Sequence, residues 1–404
     1  MPPTISLSLL QQGQQITRTD FSWSALGTPA EFTYGFRATA PTSPPAGPNE
    51  SGSFSRFNTN EILATRVALQ EWSDVANIRF TEAGGGGYTD NATMLFSNFF
   101  GGPNSAGHAY LPATKNTAPI SPEGDTWLNL TASNYNNFGF GSFDFQTVIH
   151  EIGHAIGLSH PGDYNAGDEG VPATYAASAQ YIQDSLQYSI MSYFFASNTG
   201  ASYVAPGGTT VGISTPLLAD IAAAQRLYGA ATTTRLGDNT YGFGSNAGDQ
   251  YTISPANPEV VFTIYDNGGI NTLDLSGYST NQVIDLRQGE FSSAGSLTRN
   301  ISIAPGTIVQ NARGGSGNDS ILGNPSNNSL MGGPGNDQID GGAGINTAFY
   351  SGASGNYIVS VRAGPGLATA TVLDKTGADG TDLIANIQHL RFADTTLSRS
   401  STAA

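Results

Sequence analysis

The 404-residue chain contains no cysteine, which excludes disulfides and thiolate metal sites, so any metal must be held by histidine and carboxylate. Lysine is almost missing as well. Only Lys115 and Lys375 occur, and a formal net charge of −16 argues against nucleic acid as a partner. No long apolar run is present, so no membrane-spanning helix is expected. Residues 1–12 lack a basic stretch followed by a long apolar one, and a cleavable secretory signal is not expected; export would use another route. What the chain has instead is 51 glycines and 31 acidic residues, a combination suited to divalent cations. Its length allows two domains, each with a core of its own.

Histidine is scarce too, yet three of the five, His150, His154 and His160, fall within eleven residues. Together with Glu151 and Gly157 they spell His-Glu-x-x-His-x-x-Gly-x-x-His. Residues four apart on a helix share a face, so His150 and His154 can aim at one zinc ion, with Glu151 about 100° around the helix beside it. A straight helix would carry His160 away. Gly157 can adopt the left-handed conformation that ends a helix and turns the chain back, bringing His160 in as third ligand. Three neutral imidazoles leave a fourth position for water, the arrangement of a catalytic zinc with Glu151 as general base. A bare His-Glu-x-x-His arises by chance in many helices; the extended pattern is far more specific.

In chain order, residues 1–30 read as a polar, turn-rich arm, and residues 32–36 alternate as a strand. A Pro/Gly/Ser-rich surface loop follows at 41–52. Ile62, Leu63, Val67, Leu69, Trp72 and Val75 recur at roughly helical period and predict an amphipathic helix over 60–75. Strands are expected at 78–81, 94–96 and 127–130, and the zinc helix at 145–156. Gly107, His108, Ala109 and Tyr110 form a short strand candidate that Pro112 places at a sheet edge. An edge has unpaired backbone groups to which an extended peptide can add, so these four residues are the expected substrate strand. His108 is considered as a further metal ligand against an ordinary strand role.

Beyond His160 the chain reads Tyr188-Ser189-Ile190-Met191-Ser192-Tyr193-Phe194. The histidine motif followed by this turn resembles the metzincin proteases, and within them the serralysins, secreted bacterial zinc proteases that contain calcium. The segments Glu71-Trp72-Ser73-Asp74-Val75-Ala76-Asn77-Ile78, Ser159-His160-Pro161-Gly162-Asp163-Tyr164-Asn165-Ala166-Gly167 and Asp220-Ile221-Ala222-Ala223-Ala224-Gln225-Arg226-Leu227-Tyr228-Gly229 resemble the same family. The resemblance runs from about residue 55 to 350. It implies that Met191 is the apolar Met-turn floor beneath the metal. It also implies that Tyr193 ligates the resting zinc, swings away when substrate binds, and then donates a hydrogen bond to the oxyanion.

The second half carries a nine-residue repeat. Gly314-Gly315-Ser316-Gly317-Asn318-Asp319 and Gly332-Gly333-Pro334-Gly335-Asn336-Asp337 match Gly-Gly-x-Gly-x-Asp, and the segments between and after them keep the register with losses. Ile321, Leu330, Ile339 and Ala348 are spaced by nine and are expected to line a parallel β-roll. Turn carbonyls and the carboxylates of Asp319 and Asp337 would bind calcium on one side. Asn328 and Asn346 stand where the other side requires aspartate, so one good site and one poor or empty one are expected there. The family resemblance implies a further calcium clasp, built by Asp266 with the carbonyls of Arg235, Gly237, Asn239, Gly268 and Gly269. Asn271 and Gln310 replace the acidic residues usual in that clasp.

The expected fold class is α+β: an arm over 1–30, a zinc-protease domain of mixed sheet and helices over 31–230, and an all-β roll over 231–404. The resemblance implies a secreted, extracellular, monomeric endopeptidase with one catalytic zinc and several structural calcium ions. It further implies extended polypeptides as substrates, a proteinaceous inhibitor as a partner, and one-step export of the bacterial type I kind, although residues 398–404 lack the usual terminal signal. A calcium-binding adhesin would require a broken zinc motif. A toxin would cleave one dedicated target.

Overall fold

The structure, a computed structural model, describes residues 2–41, 50–113, 121–165, 173–362 and 369–399. Most of the loop expected at 41–52, Ala166 and Gly167 of the family segment, and residues 400–404 lie outside the described residues. The chain divides into two compact units, Met1–Ala201 with Val211–Thr232, and Ser202–Thr210 with Thr233–Ala404.

The first unit contains, in order, α1 (Leu9–Ile16), β1 (Ala30–Phe36), α2 (Thr59–Val75), β2 (Ile78–Glu82), β3 (Met94–Phe99), β4 (Gly107–Ala109), β5 (Thr126–Asn129), α3 (Phe143–Ala155), α4 (Tyr175–Ser178) and α5 (Leu218–Tyr228). Its sheet runs β2-β1-β3-β5-β4, parallel except for β4, which pairs antiparallel with β5 at the edge. The expected edge position of residues 107–109 is therefore observed.

Two expectations are corrected here. Residues 1–30 are not simply an arm, because α1 forms with a reciprocal cap between Ser8 and Gln11 and packs on α5. Its inward residues are Gln12, Gly13 and Ile16, too polar and small for hydrophobic periodicity to register. The contact is close: a Cβ on Gly13 would sit 2.9 Å from the Ala222 backbone carbon. In α2 the buried stripe is Glu61, Ala64, Thr65, Ala68, Leu69, Trp72 and Val75, while Leu63 and Val67 are 52% and 38% exposed. Helix α2 packs on α3, with Trp72 Nε1 donating to Ile149 O at 3.1 Å. Glu61 tolerates burial because it caps the helix at Asn58 and accepts from Asn98 Nδ2 at 2.9 Å.

The second unit is built of short strands. They are β6 (Thr240–Phe243), β7 (Thr252–Ile253), β8 (Phe262–Ile264), β9 (Thr272–Asp274), β10 (Val283–Asp285), β11 (Phe291–Ser292), β12 (Ile301–Ile303) and β13 (Asn311–Arg313). Then follow β14 (Ser320–Leu322), β15 (Ser329–Met331), β16 (Gln338–Asp340), β17 (Thr347–Phe349), β18 (Tyr357–Val361), β19 (Ala370–Asp374), β20 (Thr381–Ala385), β21 (His389–Arg391) and β22 (Thr396–Ser398). One sheet runs β22-β21-β17-β15-β13-β9-β6-β7 and another β10-β14-β16-β20-β19-β18. Ile321 pairs with Ile339 and Leu330 with Ala348, so alternate repeats stack, and all four side chains are buried in one apolar core. A roll puts one apolar residue per repeat inside; the glycine turns do the rest.

Candidate metal centre

Ser142 caps α3 through the Phe145 N–H, and the helix then carries His150, Glu151 and His154. Gly157 stops it. Its φ is +109°, and a Cβ there would lie 2.2 Å from the Phe21 carbonyl oxygen, so no other residue fits. The turn returns His160 to the helix face, with its Nε2 3.0 Å from that of His154. Each imidazole donates from Nδ1 to a backbone carbonyl: His150 to Ile190 at 2.8 Å, His154 to Leu158 at 2.7 Å and His160 to Tyr164 at 2.8 Å. These bonds fix the tautomers and leave three bare Nε2 atoms converging.

Burial holds the rings neutral, lowering His150 to about 4 and His160 to about 3; burial, with the neighbouring His160 and His150, also holds His154 well below the ordinary imidazole value. Two unprotonated nitrogens 3.0 Å apart repel unless a cation lies between them. The three ligand atoms lie within 4.8 Å of one another, the only such cluster among the described residues. The donor set fits a divalent metal of zinc's preferences.

Glu151 is buried, its Oε2 has no hydrogen-bond partner, and burial pushes its carboxyl up to about 8. It lines a cavity of about 450 Å³ together with His154, His160, Tyr164 and the β4 residues Gly107 and His108. Gly107 is required for space, since a Cβ there would stand 3.0 Å from Glu151 Oε1. Met191 is fully buried under the helix; a Cβ on Gly153 would meet its Sδ at 2.6 Å. The Tyr193 ring lies 4.4 Å from that of His160 and 6.2 Å from that of His150, and is partly exposed. His108 is not drawn into the cluster. Its Nε2 bonds Glu50 Oε1 at 2.7 Å, which Tyr110 also reaches at 2.7 Å, and its ring stacks on Trp127.

Two aspartates escaped sequence reasoning. Asp220, in the first turn of α5, accepts from Ser189 Oγ at 2.6 Å and Ile190 N at 2.8 Å, and so holds the turn that carries Met191. Asp184 accepts from Tyr164 Oη at 2.8 Å and Ser192 Oγ at 2.7 Å, tying the loop after His160 to the residue before Tyr193. Burial raises both carboxyls to about 6. For Asp220 the usable signal was an acid in the first turn of a helix directly after the apolar Leu217, Leu218 and Ala219; for Asp184 the sequence carries no comparable signal.

A family model described as Matrixin matches residues 51–167, and one described as Peptidase M10 serralysin C terminal matches residues 230–398. Metalloprotease AprA of Pseudomonas entomophila (strain L48) is 46% identical over 276 residues, 68% of this chain and 55% of the relative. Serralysin C of Dickeya chrysanthemi is 43% identical over 324 residues, 78% and 64% of the two chains. Serralysin of Proteus mirabilis is 41% identical over 337 residues, 77% and 64%. The chain belongs to the serralysin family. It spans between 55% and 64% of the length of these three relatives.

The serralysin C-terminal segment brings the expected turn residues together. Asp319 N donates to Asp337 Oδ1 at 2.8 Å, and Asp337 N to Asp382 Oδ1 at 2.9 Å, so three carboxylates form a row. Asp382 was missed because the hairpin of β18 and β19 interrupts the nine-residue register. Asp319 Oδ2 accepts from Gly315 N at 2.7 Å, while Asp337 Oδ2 is buried without a partner. Cβ atoms on Gly314 and Gly332 would lie 2.3 and 2.0 Å from these carboxylates, and ones on Gly333 and Gly335 would lie 2.1 Å from the Gly315 and Gly317 carbonyl oxygens. Burial, then the neighbouring carboxylates, push Asp337 up to about 7; Asp382 also rises to about 7. An orphaned carboxylate oxygen among stacked carbonyls fits a hard cation.

At the family's clasp, Asp266 accepts from Tyr241 Oη at 2.6 Å and Gly268 N at 2.8 Å. Asn239, with its amide nitrogen toward acceptors, reaches Gly237 O at 2.9 Å and Asp266 Oδ2 at 3.2 Å. Gly269 packs on the Gly237 carbonyl, and Arg235 donates to Ala247 O and Tyr265 O, both at 3.0 Å. Asn271 lies in the same cluster, bonding Asn239 N and Gly268 O.

Proposed function

We propose that this serralysin-family chain is a secreted zinc endopeptidase that hydrolyses extended polypeptides. The observation that carries the reading is the convergence of three bare Nε2 atoms beside a buried carboxylate with one unpartnered oxygen. When bound there, zinc polarises the scissile carbonyl, activates water, and by its charge draws Glu151 toward the ionised form. Glu151 takes a proton from the attacking water and passes it to the leaving amine. Tyr193, beside His160, donates its phenol hydrogen to the developing oxyanion. The substrate backbone extends the sheet at β4, where Gly107, His108 and Ala109 form its edge, with Tyr110 following.

Calcium at the Gly314–Asp319 and Gly332–Asp337 turns, and at the Asp266 clasp, stabilises the second unit and supports export. The enzyme acts as a monomer outside the cell, with a proteinaceous inhibitor as its regulatory partner. Casein hydrolysis in excess calcium tests the assignment. Loss on treatment with a zinc-selective chelator and return with added zinc is expected; hydrolysis that persists in zinc-free protein rules it out.

A further inference from the structure

At the rungs of Asp337 and Asn346 the two sides of the roll differ in one atom. On the acidic side the residue before a strand gives its first oxygen to a neighbouring N–H, as Asp337 Oδ1 does for Asp319 N at 2.8 Å. On the opposite side Asn346 Oδ1 does the same for Asn328 N at 2.9 Å. The second atom is an oxygen in the first case and an NH2 in the second.

That substitution recurs along the whole side. Asn271, Gln310, Asn328, Asn346 and Gln388 each stand immediately before β9, β13, β15, β17 and β21, which are parallel neighbours in one sheet. Asn271 Oδ1 accepts from Asn239 N at 3.0 Å, Gln310 Oε1 from Asn271 N at 2.7 Å, and Gln388 Oε1 from Asn346 N at 2.6 Å. These backbone donors fix the amide orientations. At the first four rungs the nitrogens must then face neighbouring carbonyl oxygens, and they do. Asn271 Nδ2 donates to Gly268 O at 2.9 Å and Ile308 O at 3.1 Å, and Gln310 Nε2 to Gly269 O at 3.2 Å. Asn328 Nδ2 donates to Gln310 O at 2.9 Å and Asn324 Oδ1 at 3.0 Å, and Asn346 Nδ2 to Ala343 O and Asn386 O, both at 3.0 Å.

We propose that from Asn328 to Gln388 this carboxamide ladder replaces the row of calcium ions on its side of the roll, so that beyond the Asp266 clasp cations are bound along the acidic side only. A carboxamide supplies the acceptor that the backbone N–H needs and, from the same group, the positive hydrogens that the carbonyls need. Asn271, Asn328 and Asn346 are almost wholly buried, where an unmet carbonyl or amide is costly, and here their hydrogen bonds are met by neighbouring rungs and by the adjoining turns. The residues present on this side do not fit calcium: no carboxylate stands at these rungs, and the amide hydrogens already occupy the carbonyls. The chain thus departs from its family's pattern in how many ions it requires.

The test uses the full chain, with calcium counted by metal analysis and unfolding followed in calcium and in chelator. The double variant Asn328→Asp with Asn346→Asp is expected to bind at least one more calcium per chain. In chelator its unfolding midpoint should fall by about 3 °C or more, and saturating calcium should restore it. Asp337→Asn, on the acidic side, is expected to lose calcium and to depend less on it. A wild-type count that the double variant does not exceed, or an unchanged midpoint in chelator, overturns the proposal. If the double variant does not fold even in calcium, Asp337→Asn decides alone: an unchanged calcium count there is equally fatal. None of these readouts depends on casein cleavage, so loss of the protease reading and loss of the ladder are separable.

Discussion

Asp220 and His150 are joined through a single residue: Ile190 gives its N–H to Asp220 Oδ2 at 2.8 Å and takes the His150 Nδ1 hydrogen on its carbonyl, also at 2.8 Å. A carboxylate on α5 therefore orients a histidine of the proposed metal centre on α3 through one intervening peptide. Asp220→Ala is expected to lower zinc affinity about 10- to 100-fold, as loss of outer partners of metal histidines does. A competition titration against a zinc indicator measures it, and unchanged affinity in a folded variant contradicts the relay.

Gly153→Ala should disturb the Met191 floor. The new methyl would stand 2.6 Å from Met191 Sδ and 3.1 Å from the Trp72 ring, an overpacking expected to cost about 1–3 kcal/mol. Thermal or urea unfolding of the zinc-loaded protein checks this; an unaltered midpoint means the helix and the turn are not packed as described.

Tyr193→Phe separates chemistry from packing. The ring contact with His160 at 4.4 Å is kept while the phenol hydrogen is lost. A fall of about 100-fold in kcat, with KM and zinc content nearly unchanged, is expected for loss of an oxyanion donor. A rise in KM alone would assign Tyr193 to substrate binding.

The acidic row has a signed dependence on pH. Asp337 and Asp382 are raised to about 7, so between the ordinary carboxyl range and pH 7 the folded state binds more protons than the unfolded one. Stability in chelator is then highest below about pH 4 for this contribution and declines as pH rises toward 7. Calcium, which binds the ionised form, reverses the slope. The difference between wild type and Asp337→Asn across pH 4–7, with and without calcium, isolates the contribution; a rising slope in chelator contradicts it.

Local features were legible in the sequence. His150, His154 and the helix break at Gly157 are set by helical spacing and backbone sterics, and the alternate stacking of Ile321 on Ile339 follows from a nine-residue period. What escaped depends on partners distant in the chain or on small residues. Asp184 and Asp220 act through Tyr164, Ser192 and Ile190, which no spacing rule connects to the histidines. In α2 Leu69, Trp72 and Val75 marked the buried face, but Leu63 and Val67 are exposed while the smaller Ala64 and Ala68 complete the stripe. The third acidic rung, Asp382, lay beyond a hairpin that breaks the repeat. Helix α1 buries Gln12 and Gly13, and neither signals a core.

Glu151→Gln tests the central claim most directly, because it keeps the size and burial of the side chain and removes its ability to take a proton. Zinc content and casein hydrolysis are measured on the same preparation. One zinc per chain with hydrolysis reduced by about 100-fold or more is the expected result. One zinc per chain with hydrolysis near the wild-type rate would contradict it.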